Sequence, residues 1–140
     1  MRIVVDTNVF VSALLGGGAG NEVVAACLRG SFTPLMGPAL IGEYESQLCR
    51  TDLFANCHLS EGERQELFDI FIATCHWTRV YFGWRPNLRD EGDNHVIELA
   101  IAGNAEAIVT RNTRDFTLAR QLLFPQLRVV TPTQLLKGSP

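Results

Sequence analysis

The sequence predicts an α/β fold, a three-layer α/β/α sandwich with a mostly parallel central sheet of four to five strands. Short apolar segments rich in β-branched residues alternate with amphipathic segments of helical period, an order typical of parallel sheets covered by helices. The strand segments show no polar alternation, which indicates strands that are buried on both faces. Because 140 residues suit one ordinary domain, we expect a single domain over residues 1–140.

The first half of the chain is predicted to hold two strands and three helical segments. These are a strand at Arg2–Val5, helical stripes at Phe10–Leu15 and Val23–Leu28, a strand at Phe32–Met36 and a helix at Pro38–Arg50. Glycines follow both stripes and a proline opens the third helix, which are positions where these residues end and begin helices.

The second half continues the alternation and ends in a helix. Its predicted elements are a helix capped by Ser60 and Glu63 with a stripe of Leu67, Ile70, Phe71 and Thr74, a weaker strand at Thr78–Phe82, a buried helix at Val96–Gly103, strands at Ala107–Thr110 and Leu127–Val130, and a short helix opened by Thr131 and Pro132. Both caps have the residue types that satisfy the first amides of a helix.

Composition and charge exclude several classes of protein. Hydrophobic residues make up 46% of the chain and charged residues 19%, which excludes a disordered protein. The net charge of −3 provides no global basic field for nucleic acid, although a local basic rim is compatible with it. No segment near the N-terminus reaches the roughly 20 apolar residues of a membrane span, and Asp6 interrupts any signal peptide. We therefore expect a cytoplasmic protein with no membrane attachment.

Four cysteines are present without a C-x-x-C spacing. Cys57 and Cys75 are each followed by histidine, but adjacent residues seldom bind the same zinc ion. We predict reduced, mostly buried thiols rather than a zinc site.

Four acidic residues are predicted to gather at the carboxyl edge of the sheet. Asp6 directly follows the first strand, and Asp115 lies in the segment after the strand at Ala107–Thr110. Asp93 begins the buried helix that precedes this strand. Glu43 lies beside the core-facing stripe of its helix, where a carboxylate needs a partner. This edge is where such sheets bind ligands.

Each acid also has a purely structural interpretation. Asp6 could cap the first helix, and Asp93 could pair with Asp90 in a capping box. Asp115 could be a turn residue, and Glu43 a surface charge. None of these explains several carboxylates on one edge, where they raise one another's pKa unless a cation lies among them. Oxygen ligands suit Mg²⁺ or Mn²⁺ rather than zinc.

Four segments in chain order resemble the motifs of the PIN-domain nucleases. They are Ile3–Phe10, Pro38–Glu43, Asp90–Val96 with Leu99 and Ala100, and Ala107–Phe116. Each motif alone is weak, whereas the ordered set covers essentially the whole chain and is specific. The chain most resembles the stand-alone, VapC-like members, which are toxins of toxin–antitoxin pairs.

The chain departs from the family pattern at two positions. Many members carry Asp where this chain has Asn112, which leaves Asp115 to supply the last acid. The third motif often reads Asp-Pro-x-Asp, and here Glu91 replaces the proline. The other three acids follow the pattern, and Asp115 stays open between a ligand and a turn residue.

The resemblance implies a metal-dependent endoribonuclease that cleaves single-stranded RNA and is the toxin of a type II toxin–antitoxin system. The implied catalytic and metal-binding residues are Asp6, Glu43, Asp93 and Asp115, which would hold one or two Mg²⁺ or Mn²⁺ ions. Residues that would orient ligands or water are Thr7, Asn8, Thr110 and Asn112. Residues that could contact RNA phosphates are Arg85, Arg89, Arg111 and Arg114. The implied protein partners are a cognate antitoxin and a second copy of the chain in a homodimer.

Two other functions are compatible with the pattern of acids. The first is a catalytically weak interaction module of the same fold that binds metal or a partner protein. The second is a phosphotransfer domain, which also places acids after strands. It needs a lysine distant in sequence, and the only lysine is the near-terminal Lys137, so this function ranks last.

Overall fold

The structure, a computed structural model, describes residues 1–16, 18–80, 94–114, 116 and 127–138. Its strands are β1 (Arg2–Val5), β2 (Thr33–Met36), β3 (His76–Trp77), β4 (Ala107–Val109) and β5 (Arg128–Val130). Its α-helices are α1 (Thr7–Gly16), α2 (Gly18–Leu28), α3 (Pro38–Leu48), α4 (Glu61–Thr74), α5 (Asn94–Ala102) and α6 (Pro132–Gly138), and a short 3-10 helix covers Thr51–Phe54.

The strands form one five-stranded sheet in the order β3-β2-β1-β4-β5, and every neighbouring pair is parallel. Ile3 pairs with Pro34 on one side of β1, and Val5 pairs with Val109 on the other. The central strand is therefore β1, and the carboxyl ends of the strands reach a common edge. Six α-helices in the described ranges flank this sheet, which confirms the predicted α/β fold.

The core is built on the two most apolar strands and an aromatic cluster. All of β4 and all of β1 after Arg2 are buried. Phe10 of α1, Tyr44 of α3 and Phe71 of α4 pack together, with ring centroids 5.0 to 6.1 Å apart. These rings hold α3 against α1 and the end of β1, and α3 is the helix that carries Glu43.

The third strand differs from the prediction. The sequence pattern predicts a strand at Thr78–Phe82, whereas β3 is His76–Trp77, and residues 81 and 82 lie outside the described residues. Both residues of β3 are exposed and pair with Leu35 and Met36. A two-residue edge strand with exposed side chains has no apolar run, so hydrophobic patterning does not detect it.

The helix that follows Ser60 begins as predicted and departs from the predicted apolar stripe at one residue. Ser60 Oγ accepts from the Glu63 amide and Glu63 reciprocates, so the predicted capping box is present. The predicted stripe includes Ile70, which is 47% exposed, whereas Phe68 and Phe71 are buried. The predicted stripe is right at Phe71 and wrong at Ile70. Phe68, which the stripe leaves out, is buried because it packs against Phe10 and Tyr44 of the aromatic cluster.

The prediction of mostly buried cysteines is also wrong. All four thiols are free, but only Cys27 is buried, Cys49 is exposed and the other two are half-buried. Burial raises the pKa of Cys27 to about 12, which keeps its thiol protonated.

The first two helices adjoin at a sharp bend near the three glycines. Gly16 and Gly18 have φ values of +120° and +78°, which glycine adopts without strain. No single helix in the described ranges is long and apolar enough to cross a membrane. The helices Thr7–Gly16 and Gly18–Leu28, which are bent by 103° relative to each other, have the length and apolar composition of a span only when they are taken together.

Candidate active site

Asp6 lies where β1 ends and α1 begins, at the carboxyl edge of the sheet. Its amide donates to the Val109 carbonyl at 2.9 Å, which extends the pairing of β1 with β4 by one bond. Only 6% of the residue is exposed. Strand order reverses between β1 and β4, and such switch points are where open α/β sheets bind ligands.

Two hydrogen bonds fix the Asp6 carboxylate. The Thr7 amide donates to Oδ1 at 2.9 Å, and Thr110 Oγ1 donates to Oδ2 at 2.7 Å. Thr110 follows β4 as Asp6 follows β1, and the pairing of Val5 with Val109 places the two side by side. The ends of the two best-patterned strands therefore meet at one edge, as the sequence predicts.

The helix-cap interpretation of Asp6 accounts for only part of this arrangement. Asp6 does occupy the N-cap position of α1, and its carbonyl accepts from the Val9 amide at 3.0 Å. Its side chain accepts from the first helical amide, that of Thr7, whereas a capping side chain ordinarily takes the second or third. The cap leaves Oδ2, which binds Thr110, unexplained.

Thr110 is the centre of a polar network beside Asp6. Its hydroxyl oxygen also accepts from the Asn112 amide at 3.1 Å and lies 3.5 Å from Asn8 Nδ2. Asn8 Oδ1 accepts from the Arg111 amide at 3.2 Å. Three residues predicted to orient ligands or water, Asn8, Thr110 and Asn112, are therefore joined in one network that ends on the carboxylate.

Glu43 reaches the same edge from α3. The neighbouring Tyr44 is 1% exposed, stacks on Phe71, and donates its hydroxyl proton to the carbonyl of Val5, the last residue of β1. This bond ties α3 to the strand end that Asp6 follows. Burial raises the pKa of Tyr44 well above its ordinary value, so the hydroxyl stays a donor.

Glu43 has the polar partners that its place beside the apolar stripe requires. Thr7 Oγ1 donates to Oε1 at 2.8 Å, and His95 Nε2 lies 2.8 Å from Oε2. Thr7 therefore contacts both acids, with its amide on Asp6 and its hydroxyl on Glu43. This shared contact keeps the two carboxylates in a fixed relation.

The pKa values of the two acids move in opposite directions. The pKa of Asp6 is raised, mainly because burial removes water from its carboxylate; the hydrogen bond from Thr110 partly offsets this, and the like charge of Glu43 raises the pKa further. The pKa of Glu43 is lowered, mainly because His95 hydrogen-bonds to the carboxylate, although partial burial opposes the change.

A divalent cation fits this pair of acids. In the described part of the chain, neither lysine nor arginine forms an ion pair with Asp6, and no three His, Cys, Asp or Glu residues are placed to hold a metal together. Carboxylate oxygens keep lone pairs beyond the bonds above and are the donors that hard cations take. A cation would offset both the burial of Asp6 and its repulsion by Glu43.

The other predicted site residues divide into those near the acids and those outside the described residues. Arg111 and Asn112 line a cleft of about 420 Å³ that opens over Asp6 and Glu43, whereas Arg114, two residues further along the chain, is exposed. The residues outside the described ranges are Asp93, Asp115, Arg85 and Arg89. Their roles stay predictions.

Sequence reasoning missed His95 as a partner of Glu43. His95 follows Asp93 in the third motif, but its sequence context gives no sign of contact with α3. The contact arises because α5 packs against α3. Nδ1 of His95 is buried and has no hydrogen-bond partner within the described ranges. A chain-distant pair of this kind can be found only from the packing of the two helices.

Comparison with known proteins yields one family and no individual relative. A family model described as the PIN domain matches residues 2–114, which include every described residue of the cleft. No curated protein matches the chain, and no solved structure does.

Proposed function

This chain belongs to the PIN-domain family, whose members are generally nucleases, and on that premise we propose that it is an endoribonuclease that uses Mg²⁺ or Mn²⁺ to cleave single-stranded RNA. One observation carries the proposal. Asp6 is a buried carboxylate with a raised pKa, held rigidly beside Glu43 at the switch point of a parallel sheet. A structural cap has no need of a second acid that raises its pKa.

The acids have a defined part in the proposed chemistry. Asp6 and Glu43 would hold the cation, with Asp93 and Asp115 as further oxygen donors. When bound, Mg²⁺ or Mn²⁺ lowers the pKa of a water and stabilises negative charge on the scissile phosphate and leaving oxygen.

The remaining residues of the cleft position groups around the acids. Thr110 and the Thr7 amide hold the two Asp6 oxygens in one orientation, so little reorganisation is needed on binding. Arg111 is exposed at the rim of the cleft and supplies a positive charge for a phosphate of the strand. Attack by water in line with the leaving 3′-oxygen leaves products with a 5′-phosphate and a 3′-hydroxyl.

The experiment that tests this function is cleavage of single-stranded RNA by the purified chain. We expect cleavage in Mn²⁺ or Mg²⁺, none in EDTA, and 5′-phosphate ends that a phosphate-dependent exonuclease digests. Asp6→Asn, purified in parallel, controls for contaminating nuclease. Cleavage that is equal in the variant, or unaffected by EDTA, would contradict the proposal.

Metal binding separates the nuclease from a catalytically weak interaction module. A cation that binds only the folded state raises the melting temperature as its concentration increases. A metal-dependent rise in melting temperature without cleavage of any RNA would favour the module. A rise that accompanies cleavage, with both lost in Asp6→Asn, supports the nuclease.

The proposed biological role is that of a cytoplasmic toxin held inactive by a cognate antitoxin, and the proposed assembly is a homodimer. The resemblance of the four motifs to stand-alone toxins supports this role. We expect expression of the chain alone to arrest growth and Asp93→Ala to relieve the arrest. Equal toxicity of a folded, soluble Asp93→Ala protein would overturn the role. Light scattering tests the dimer, for which we expect twice the molar mass of one chain.

A further inference from the structure

The cleft at the two acids continues into an apolar region that the cleavage chemistry does not use. Beyond the acids, it is lined by Val11 and Leu15 of α1, Gln47 of α3 and Leu53 of the 3-10 helix. Leu15 is 44% exposed, and Val11 and Leu53 are half-buried. We refer to Val11, Leu15 and Leu53 as the apolar strip.

The apolar strip is aligned with the acids by helical spacing. Thr7, Val11 and Leu15 recur every four residues on α1, so they share one face that runs about 12 Å from the acids. Gln47 lies one turn beyond Glu43 on α3 in the same way. Helix α1, which begins directly after Asp6, and helix α3, which carries Glu43, therefore also form walls of the apolar region.

We propose that the apolar strip binds a nucleobase of the RNA strand, next to the phosphate at the acids. This inference rests on the proposed function. In single-stranded RNA a base can be splayed out of the stack and packed against protein side chains. Leu15 would lie against the face of the base, and the Gln47 amide, with a donor and an acceptor, can bond to its edge.

Charge and size favour a nucleotide over an apolar helix of a protein partner. The apolar strip has three side chains, and the cleft around it also presents an exposed arginine, Arg111, and the two acids. A nucleotide has a charged phosphate and a largely apolar base, so its phosphate can lie near Arg111 while its base lies on the apolar strip. The cleft volume of about 420 Å³ lies in the range of small-molecule sites.

The test is RNA cleavage with one base removed at a time. A short labelled single-stranded RNA with a mapped cleavage site is made with a single abasic nucleotide, which is moved stepwise along the strand. For the wild type, we expect kcat/KM to fall about fourfold when the abasic nucleotide is at one position close to the cleaved bond. A fourfold change corresponds to the free energy of burying roughly one methylene group. Leu15→Ser should reduce kcat/KM on intact RNA by the same factor and show no further loss at that position.

Ile70→Ser is the matched control. Ile70 is 47% exposed, on α4 and outside the cleft, so the substitution makes a similar aliphatic-to-hydroxyl change on another exposed helix face. It should leave both kcat/KM and the abasic profile unchanged. If Leu15→Ser and Ile70→Ser behave alike on every RNA, the apolar strip does not bind a base.

Failure of this inference is distinguishable from failure of the nuclease. If the wild type cleaves no RNA, the nuclease proposal fails, and the intact and abasic RNAs are compared by fluorescence anisotropy in Mn²⁺. Weaker binding of one abasic RNA, abolished by Leu15→Ser, still supports the apolar strip. Equal binding of all RNAs by the wild type overturns it.

Discussion

Asp6 and Glu43 are bound to the same threonine but lie in opposite surroundings. Asp6 is held by a backbone amide and a fully buried hydroxyl at the ends of two rigid strands. Glu43 extends from a helix, keeps a third of its side chain exposed, and is held by the side chains of Thr7 and His95. Burial raises the pKa of Asp6, whereas the bond to His95 lowers the pKa of Glu43.

This difference assigns different roles to the two acids. The charge of Asp6 destabilises the folded chain, but the groups at the ends of β1 and β4 hold the carboxylate in its buried position. A destabilising buried charge of this kind is typical of a functional group. The charge of Glu43 is already stabilised by its neighbours. A bound cation would therefore relieve a larger electrostatic penalty at Asp6 than at Glu43. Four substitutions test that contrast.

The largest effect is expected from Asp6→Asn. If Asp6 binds the cation, cleavage of single-stranded RNA should fall by at least about 100-fold, since even groups that only orient metal ligands are worth about 10- to 100-fold. Because the pKa of Asp6 is raised in the folded state, its charge reduces stability above that pKa, and the penalty disappears as the pH falls toward the ordinary carboxyl range. Urea unfolding in EDTA at neutral pH should show a variant at least as stable as the wild type. A marked loss of stability would instead favour the helix cap.

Thr110→Val should have the next largest effect, on stability. The substitution keeps the side-chain shape but removes the hydroxyl that donates to Asp6 at a fully buried position, which should cost about 2 kcal/mol. Thr110→Ser retains the hydroxyl and is the control. The urea midpoints of the two variants decide the outcome: because valine keeps the methyl group, a Thr110→Val variant as stable as the wild type would show that the bond to Asp6 contributes nothing.

Asn112→Asp should tighten cation binding about tenfold. Asn112 lines the cleft beside Asp6, so a carboxylate there adds a ligand charge near the two acids. Without metal, the same change adds repulsion and should lower the melting temperature. Calorimetric titration with Mn²⁺ measures the affinity. Asn104→Asp makes the same charge change at an exposed residue before β4, near the opposite edge of the sheet, and should leave Mn²⁺ affinity unaltered.

His95→Leu is expected to have the smallest effect. It removes the bond that lowers the pKa of Glu43, and it should reduce stability at neutral pH by about 1 kcal/mol, discounted for the exposure of Glu43. A lowered carboxyl pKa stabilises the fold above the ordinary pKa, and the benefit is lost as the pH falls through the folded-state value. The unfolding free energies of the wild type and His95→Leu, plotted against pH, should therefore converge at acid pH. His95→Gln keeps a hydrogen-bond donor, so its values should lie nearer those of the wild type. A constant difference at every pH would indicate lost packing alone.

Local sequence patterns determine most of the strand and helix order and the position of Asp6 at the sheet edge. A β-branched run is nearly sufficient for a buried strand, so the predicted bounds of β1 and β4 agree with the structure to within a residue. A residue that follows such a strand must lie at its carboxyl end, and for this reason the sequence by itself places Asp6 and Thr110 at one edge of the sheet. The four motifs also indicate the family that the match over residues 2–114 shows.

Only the tertiary structure decides which side chains meet across the elements. The contact of His95 with Glu43 joins residues 52 positions apart, and it depends on how α5 packs against α3. The same holds for β3, whose exposed residues carry no apolar pattern, and for α4, where Phe68 is buried and Ile70 is exposed. Periodicity records which residues are apolar. Which of two neighbouring apolar residues is buried, and which group a polar residue contacts, follow from the packing of elements distant in the chain.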